Sequence, residues 1–310
     1  LYFIPIVFLN IIILVIALIR SRSVAWVTFL MLIPSILFAD LFVKFGKPNE
    51  GEKGNALNIC TYNVGLFAQE SGISRLDQLN RVARYIGEER PSIVCFQEFY
   101  AKDTSVIRDL FHQYPYIQWH FFRYSDGGMF GNLTISKFPI VSGDKITFKG
   151  STNLCIFSDI DFFGKMIRIY NTHLESHSIS FTTLVKRMSN SQKVSEEIIN
   201  VHERVASAFK KRGKQVDSIA VHMSKSEYPA IICGDFNDTP MSYTYHILMK
   251  GMKDSFRESG RGFSATYSYL WPMLRIDYIL YPEKFWSMSH ITQKVPYSDH
   301  YPVFSGIIIP

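Results

Sequence analysis

The order of apolar and polar positions divides the chain near residue 46. Residues 1 to 19 are almost wholly apolar, Arg20 to Ser23 is a polar break, and Val24 to Phe45 is apolar again apart from Asp40 and Lys44. Each run approaches the roughly twenty residues a helix needs to cross a hydrocarbon layer of about 30 Å. The pattern predicts a hairpin of two membrane helices over residues 1–46. A cleaved leader would also be apolar, but no basic stretch precedes the first run, no small-residue cleavage site follows it, and a second span comes at once. Because the chain opens on Leu1, the expectation is an anchor lacking upstream residues.

Beyond the hairpin, Gly46 to Asn55 is rich in Gly, Pro and charge and reads as a linker, placed at 47–56. Leu57 to Tyr62 then alternates like a strand. Leu76, Leu79, Val82, Ala83 and Ile86 recur at helical spacing until Pro91, and Ser92 to Phe96 is a second short strand. Further strands are predicted at Leu133–Ser136, Leu154–Ile160, Met166–Asn171, Ala230–Cys233, Ile276–Leu280 and Val303–Ile309. Val194, Ile198, Val201, Val205 and Phe209 form a helical stripe over Lys193 to Lys211, within a segment, 175–229, that reads as an insertion. Strands outnumber helices and several are joined by short turns. A layered α/β sandwich of sheets with helices outside, over residues 57–310, fits better than a doubly wound parallel sheet.

Composition adds little to this picture. The 310 residues are 47% hydrophobic, enough for one large domain or two small ones, and the net charge of +6 suits an anionic substrate or lipid headgroups without choosing between them. Cys60, Cys95, Cys155 and Cys233 each sit in an apolar strand-like run, spaced neither as zinc ligands nor as a disulfide framework. Arg20 and Arg22 would hold the hairpin loop in the cytoplasm, whereas Lys44, Lys47 and Lys53 argue the reverse. The compact loop weighs more, so the large domain is expected outside the cytoplasm, in the periplasm of a bacterium as part of a multi-pass inner-membrane protein.

Candidate chemistry lies where apolar runs end. Thr61-Tyr62-Asn63-Val64, Phe96-Gln97-Glu98, Asn171-Thr172-His173-Leu174, Gly234-Asp235-Phe236-Asn237 and Ser298-Asp299-His300 each place an amide, carboxylate or imidazole there. Asn63 and Glu98 are hard oxygen ligands suited to Mg²⁺ or Mn²⁺. Singly, Asn63 reads as a turn former, Glu98 as a solvated edge and Asp235 with Asn237 as part of a Gly/Asp/Asn/Pro turn. Together they read as a site: Asp235 could orient and deprotonate a water, and Asn237 could donate to a phosphate oxygen. His300 adds a group that titrates near neutrality. Asp277, inside the apolar run Ile276–Leu280, needs a partner, either His300 or the nearby Arg275. His173 is a candidate second imidazole, protonating the leaving oxygen or binding phosphate, and Asn132 a weaker candidate for binding substrate.

In this order and at about this spacing, the segments resemble the endonuclease/exonuclease/phosphatase superfamily, which includes DNase I, abasic-site endonucleases, inositol polyphosphate 5-phosphatases and neutral sphingomyelinases. The resemblance covers residues 57 to 310. It implies a four-layered, DNase I-like α/β sandwich with two packed mixed sheets, and hydrolysis of a phosphoester by an activated water with Mg²⁺ or Mn²⁺ as cofactor. On that resemblance Asn63, Glu98 and Asp299 would hold the metal, Asp235 would orient the nucleophile and Asn237 would contact the scissile phosphate. His300 paired with Asp277 would act as base or phosphate stabiliser, and His173 would be the second histidine. The hairpin together with Phe96-Gln97-Glu98-Phe99-Tyr100 and Gly234-Asp235-Phe236-Asn237-Asp238-Thr239-Pro240 looks most like membrane-anchored bacterial members of the Bacteroidetes type.

The leading expectation is therefore a membrane-tethered, metal-dependent phosphodiesterase or phosphatase, held in the lipid bilayer through residues 1–46 and monomeric. The alternative is a binding module that kept the sandwich and lost catalysis. A hairpin acting as a transporter subunit is weaker, because Asp40 is the only acidic residue in it. For a nucleic acid or nucleotide substrate, Lys186, Arg187, Lys193, Arg204, Lys210, Lys211, Arg212 and Lys214 could track phosphates. For a phospholipid headgroup, Tyr267, Tyr269, Leu270, Trp271 and Pro272 could supply an apolar rim.

Overall fold

The computed structural model describes residues 3–45, 56–68, 72–176 and 194–310. The expected linker, apart from Ala56, lies outside these residues, as do Lys186, Arg187 and Lys193. Two six-stranded sheets stack face to face. One runs in the order Trp286–Thr292, Val303–Ile308, Ala56–Asn63, Ile93–Ala101, Met129–Ser136, Tyr116–Arg123. The other runs Met252–Asp254, Asp277–Pro282, Ala230–Asp235, Lys165–His173, Leu154–Phe162, Ile140–Thr147. Each is mixed: Ala56–Asn63 pairs parallel with Ile93–Ala101, Lys165–His173 pairs parallel with Ala230–Asp235, and the remaining pairs are antiparallel.

Strand alternation explains the layers. Ile59, Ile93, Cys95, Ile169, Ile231, Cys233, Ile279 and Val303 fill the space between the sheets. Their neighbours Cys60, Tyr62, Val94 and Phe96 face outward and are covered by Leu79, Val82 and Ile86 of helix Arg75–Glu89. On the opposite outer face, Val216 and Ile219 of helix Val194–Ser224 cover Tyr170, Ile232 and Leu280. Strands apolar on both faces are what a four-layered sandwich requires.

Three strands carry no clear apolar run: Tyr116–Arg123, Ile140–Thr147 and Trp286–Thr292. All lie at sheet edges, and Ile140–Thr147 is mostly exposed, so alternation against a core is weak there. The stripe expected over 193–211 belongs to a longer helix, Val194–Ser224, in which Val205 and Ala208 are buried and Val216 and Ile219 join the outer core.

The hairpin also departs from expectation. Its first helix, Phe3–Arg20, has 18 residues, a mean hydropathy of 2.7 and is long and apolar enough to cross a membrane. The second, Arg22–Leu37, stops at 16 residues. Residues after it join the globular part: Leu41 and Phe42 are buried in the outer core, and Val43 and Lys44 pair with Phe263 and Gly262. Asp40, in the turn just past its end, is held at the domain by Arg257 with bonds of 2.9 and 2.7 Å.

Gly234 lets the two parallel strands approach at the end that carries the site. Its φ is +136°, and a Cβ there would stand 1.9 Å from the Thr172 carbonyl oxygen. Gly234→Ala is expected to cost about 3 kcal/mol or more, read as a lower denaturant midpoint.

Candidate active site

Strand ends converge at one rim because the register brings them there. Parallel pairing sets Asn63 beside Gln97 and His173 beside Asp235, and Asp277 lies opposite Asp235 on the next strand. Glu98 reaches the rim by a bulge. Between Phe96 and Phe99 the strand carries one residue more than its partner, which advances from Leu133 to Gly131, and Glu98 has a φ of 48°. Gln97 consequently stays between the sheets while Glu98 turns to the surface. Asn237, at φ 51°, bends the chain back after Asp235.

Asp235 is the hub. Its Oδ2 accepts from Asn63 Nδ2 at 2.9 Å and Asn237 Nδ2 at 3.1 Å, and its Oδ1 accepts from the Asn237 backbone N–H at 2.7 Å. The same Oδ2 lies 3.8 Å from His173 Nε2 and 3.8 Å from His300 Nε2. Asn63 Nδ2 also reaches Glu98 Oε1 at 3.2 Å, and His173 Nε2 is 3.5 Å from that oxygen, too poorly aligned for a hydrogen bond. His173 Nε2 is thus a buried ring nitrogen without a hydrogen-bond partner among the described residues, next to two carboxylates.

His300 Nδ1 donates to Asp277 Oδ2 at 2.9 Å. Thr266 fixes that strand by accepting from the Ile276 and Asp277 backbone N–H groups at 3.0 and 3.1 Å. Arg275 is engaged elsewhere: its Nη1 donates to Asp254 at 2.7 Å. Tyr267 pairs with His300 through a β-bridge and packs its ring 5.3 Å away. Ser298 donates to the Asn63 carbonyl at 2.8 Å, tying the loop that carries Asp299 to the strand that carries Asn63.

Electrostatics separates the groups. Burial alone would lower the His300 pKa, but the charges of Asp277 and Asp235 outweigh it and hold the imidazole well above its ordinary value. Burial, with Asp277 adding to it, raises Asp235 above the usual carboxylate range against the pull of His300 and His173. Asp299 is raised by burial and by Glu98, with His300 opposing.

Two expected residues sit differently from the rest. Asn132 lies beneath the rim, where its Nδ2 donates to the Asn171 carbonyl at 3.0 Å and the Leu154 carbonyl at 3.3 Å. Asn237 likewise spends its amide hydrogens within the protein, on Leu174 O and Asp235. Both brace the site in this geometry. Sequence reasoning overlooked the buried amides below: Gln97 donates to Asn171 Oδ1 at 2.8 Å, and Asn171 donates to Phe96 O, Leu133 O and Thr134 Oγ1 at 3.1 Å each. This layer locks the two sheets together directly under Glu98 and His173. The signal was available, since a polar residue inside an apolar strand needs a partner.

Asn63, Glu98 and Asp299 fit a hard divalent cation by their chemistry. All offer oxygen, Asn63 Oδ1 accepts one bond among the described residues, from Gly65 N, and the Glu98 and Asp299 carboxylates repel each other. Asp235, Asp277 and His300 also place ligand atoms within 4.8 Å of one another. That trio is buried, and His300 Nδ1 is already committed to Asp277, so it is better described as a hydrogen-bonded relay.

The basic residues proposed for phosphate tracking are partly spoken for. Arg212 is buried, bonded to the Glu175 carbonyl at 2.7 Å and Asp238 at 3.3 Å, and Lys211 pairs with Glu175 at 2.8 Å.

Comparison with known proteins agrees with the architecture. The sequence profile of the Endonuclease/Exonuclease/phosphatase family matches residues 60–300. An endonuclease/exonuclease/phosphatase from Beutenbergia cavernae is 16% identical at a TM-score of 0.62, over 82% of this chain and 72% of its own. One from Bacteroides vulgatus is 17% identical at 0.62, over 83% and 100%. The human Nocturnin catalytic domain with bound sulfate is 16% identical at 0.59, over 81% and 94%. Curated protein sequences yield no match.

Proposed function

Because the chain belongs to the endonuclease/exonuclease/phosphatase family, we propose that it is a membrane-tethered, Mg²⁺- or Mn²⁺-dependent phosphoester hydrolase that attacks phosphorus with an activated water. The observation carrying this reading is the Asp235 carboxylate, met by two amides and flanked by two imidazoles at one rim. A buried carboxylate of raised pKa is suited to accept a proton from water. Asn63 and Asn237 keep it oriented.

In this reading His300, held cationic by Asp277 and Asp235, stabilises the negative charge that builds on the phosphoryl oxygens. His173, whose Nε2 has no hydrogen-bond partner among the described residues, meets the leaving oxygen. Asn132 positions the floor of the site. Asn63, Glu98 and Asp299 would hold the metal, which would neutralise the non-bridging phosphate oxygens. The sulfate of the Nocturnin structure is a tetrahedral anion on the same fold, which agrees with a phosphate site.

The first helix and its shorter partner anchor the domain, residues 57–310. Arg20 and Arg22 at the tip favour a cytoplasmic loop and an extracytoplasmic catalytic domain. Protease added outside sealed right-side-out vesicles should then cleave the domain.

Full-length protein in detergent with Mg²⁺ or Mn²⁺ should turn over at least one member of a panel of nucleic acids, phospholipids, phosphoinositides and aryl phosphates. Binding of panel members with no turnover of any would instead favour a non-catalytic module. Glu98→Gln should raise the Mg²⁺ concentration for half-maximal rate by about tenfold or more, within the range of lost metal contacts. An unchanged metal requirement would remove Glu98 from the ligand set.

A further inference from the structure

Both ends of the hairpin are fastened to one patch of the domain. Ser264 N donates to the Phe42 carbonyl at 2.9 Å, Val43 and Lys44 pair with Phe263 and Gly262, and Arg257 grips Asp40. At the other end, the Phe3 ring stacks on Phe42 at 5.3 Å and meets Phe38 edge-on at 6.4 Å. Helices of 18 and 16 residues then carry Arg20 and Arg22 away to the tip, about 24–27 Å at 1.5 Å per residue. That reach is close to the apolar thickness of a bilayer, about 30 Å. The near membrane surface therefore falls at the level of the patch.

The same patch borders the candidate active site on two sides. From Phe263, four residues of chain, at most about 14 Å, lead to Tyr267, whose ring packs on His300. A cavity of about 540 Å³ separates Leu37, Phe38 and Leu41 from Pro240 and Met241, which follow the loop that carries Asn237. The side chains here have the composition of a membrane interface. Phe45, Phe263, Tyr269 and Trp271 are exposed. The Phe263 and Trp271 rings meet edge-on at 5.6 Å, and the Lys294 ammonium lies 3.4 Å from the Trp271 ring centre. Aromatic rings beside cations are favoured at lipid headgroup level.

We infer that this joint seats the rim of the active site on the bilayer surface, and that the substrate is a phosphodiester lipid presented by the membrane. The inference rests on reading the hairpin as an anchor and the site as a hydrolase. Water supplies the new oxygen on phosphorus and one P–O ester bond breaks. One water proton goes to the departing alcohol and the other to solvent, leaving a phosphomonoester.

The test uses full-length protein with Mg²⁺ in vesicles of phosphatidylethanolamine, phosphatidylglycerol and sphingomyelin, with bis(p-nitrophenyl) phosphate as the soluble diester. The Phe263→Ser/Trp271→Ser double variant, and Arg257→Gln separately, should lose at least about tenfold on vesicle lipid and less than about twofold on the soluble diester, as expected when only presentation is impaired. Equal losses on both substrates, or turnover of the soluble diester alone by the unaltered protein, would overturn the inference and leave the hydrolase reading intact. Turnover of neither would overturn both. Docking is read separately by a nitroxide at Phe263→Cys, since the native cysteines are buried. Collision with oxygen should exceed collision with an aqueous nickel chelate, and the reverse would overturn the seating.

Discussion

Asp235→Asn is expected to lower turnover of a soluble aryl phosphodiester by about a thousandfold or more, the combined size of a lost proton acceptor and a misplaced nucleophile. The substitution keeps the size and shape of the side chain, although its NH2 must then face a donor, either the Asn63 and Asn237 amides or the Asn237 backbone N–H. What it removes is the charge and the basic oxygen that both imidazoles face at 3.8 Å. His300→Gln should cost a similar factor, and the double variant little more than either, because the two groups act as a unit. Stability should move little. Burial raises the Asp235 pKa, so removing the charge relieves an energetic cost, but the new NH2 group faces a donor that the carboxylate had accepted from, and the two effects oppose each other in the melting temperature. A variant that lost activity and unfolded together would instead mark Asp235 as a structural residue.

Arg275→Met is expected to be the most damaging single change to the fold, at about 3–5 kcal/mol, because it leaves a buried carboxylate without its cation. Arg275 is enclosed by the rings of Phe256 at 4.9 Å and Tyr278 at 4.8 Å, with its Nη1 on Asp254. Asp254 also accepts from Tyr245 Oη at 2.7 Å and from the Phe256 backbone at 2.9 Å. Burial pushes the Asp254 carboxyl up, but Arg275 and Tyr245 outweigh it and hold its pKa below the ordinary 3.8. A carboxyl depressed in the folded state contributes stability that is full above its unfolded pKa and is lost as pH falls through the folded one. The acid limb of the stability curve, below about pH 4, should therefore flatten in Asp254→Asn. Asp254→Asn combined with Arg275→Met should recover part of the loss, which chemical denaturation would measure.

The sequence carried the strand ends well and their bracing poorly. Asn63, Glu98, His173 and Asp235 stood out because each follows an apolar run, and His300 because it stands just before one, Val303–Ile308; parallel register then sets His173 and Asp235 side by side. Asp277 stood out as a charge inside a strand, and the choice between Arg275 and His300 is settled by the fold: Arg275 faces Asp254, at the end of the strand Met252–Asp254. Gln97 and Asn171 were hidden for the converse reason. Neighbouring site residues drew attention away from amides that face the opposite side of the same strands. The expected second span was drawn too long by the apolar character of Leu41 and Phe42, which serves a protein core as well as a bilayer. Edge strands such as Ile140–Thr147 leave almost no apolar trace, because solvent covers most of their side chains.

Everything proposed for the chemistry requires a divalent cation at the rim, beside but distinct from the His300 relay. Crystals soaked in Mn²⁺ and measured at the manganese edge test this most directly. The expected result is an anomalous peak contacted by Glu98, with Asn63 and Asp299 around it and Asp235 free to face a water. A peak held instead by Asp235, Asp277 and His300, or no peak at the rim at saturating Mn²⁺, would contradict it.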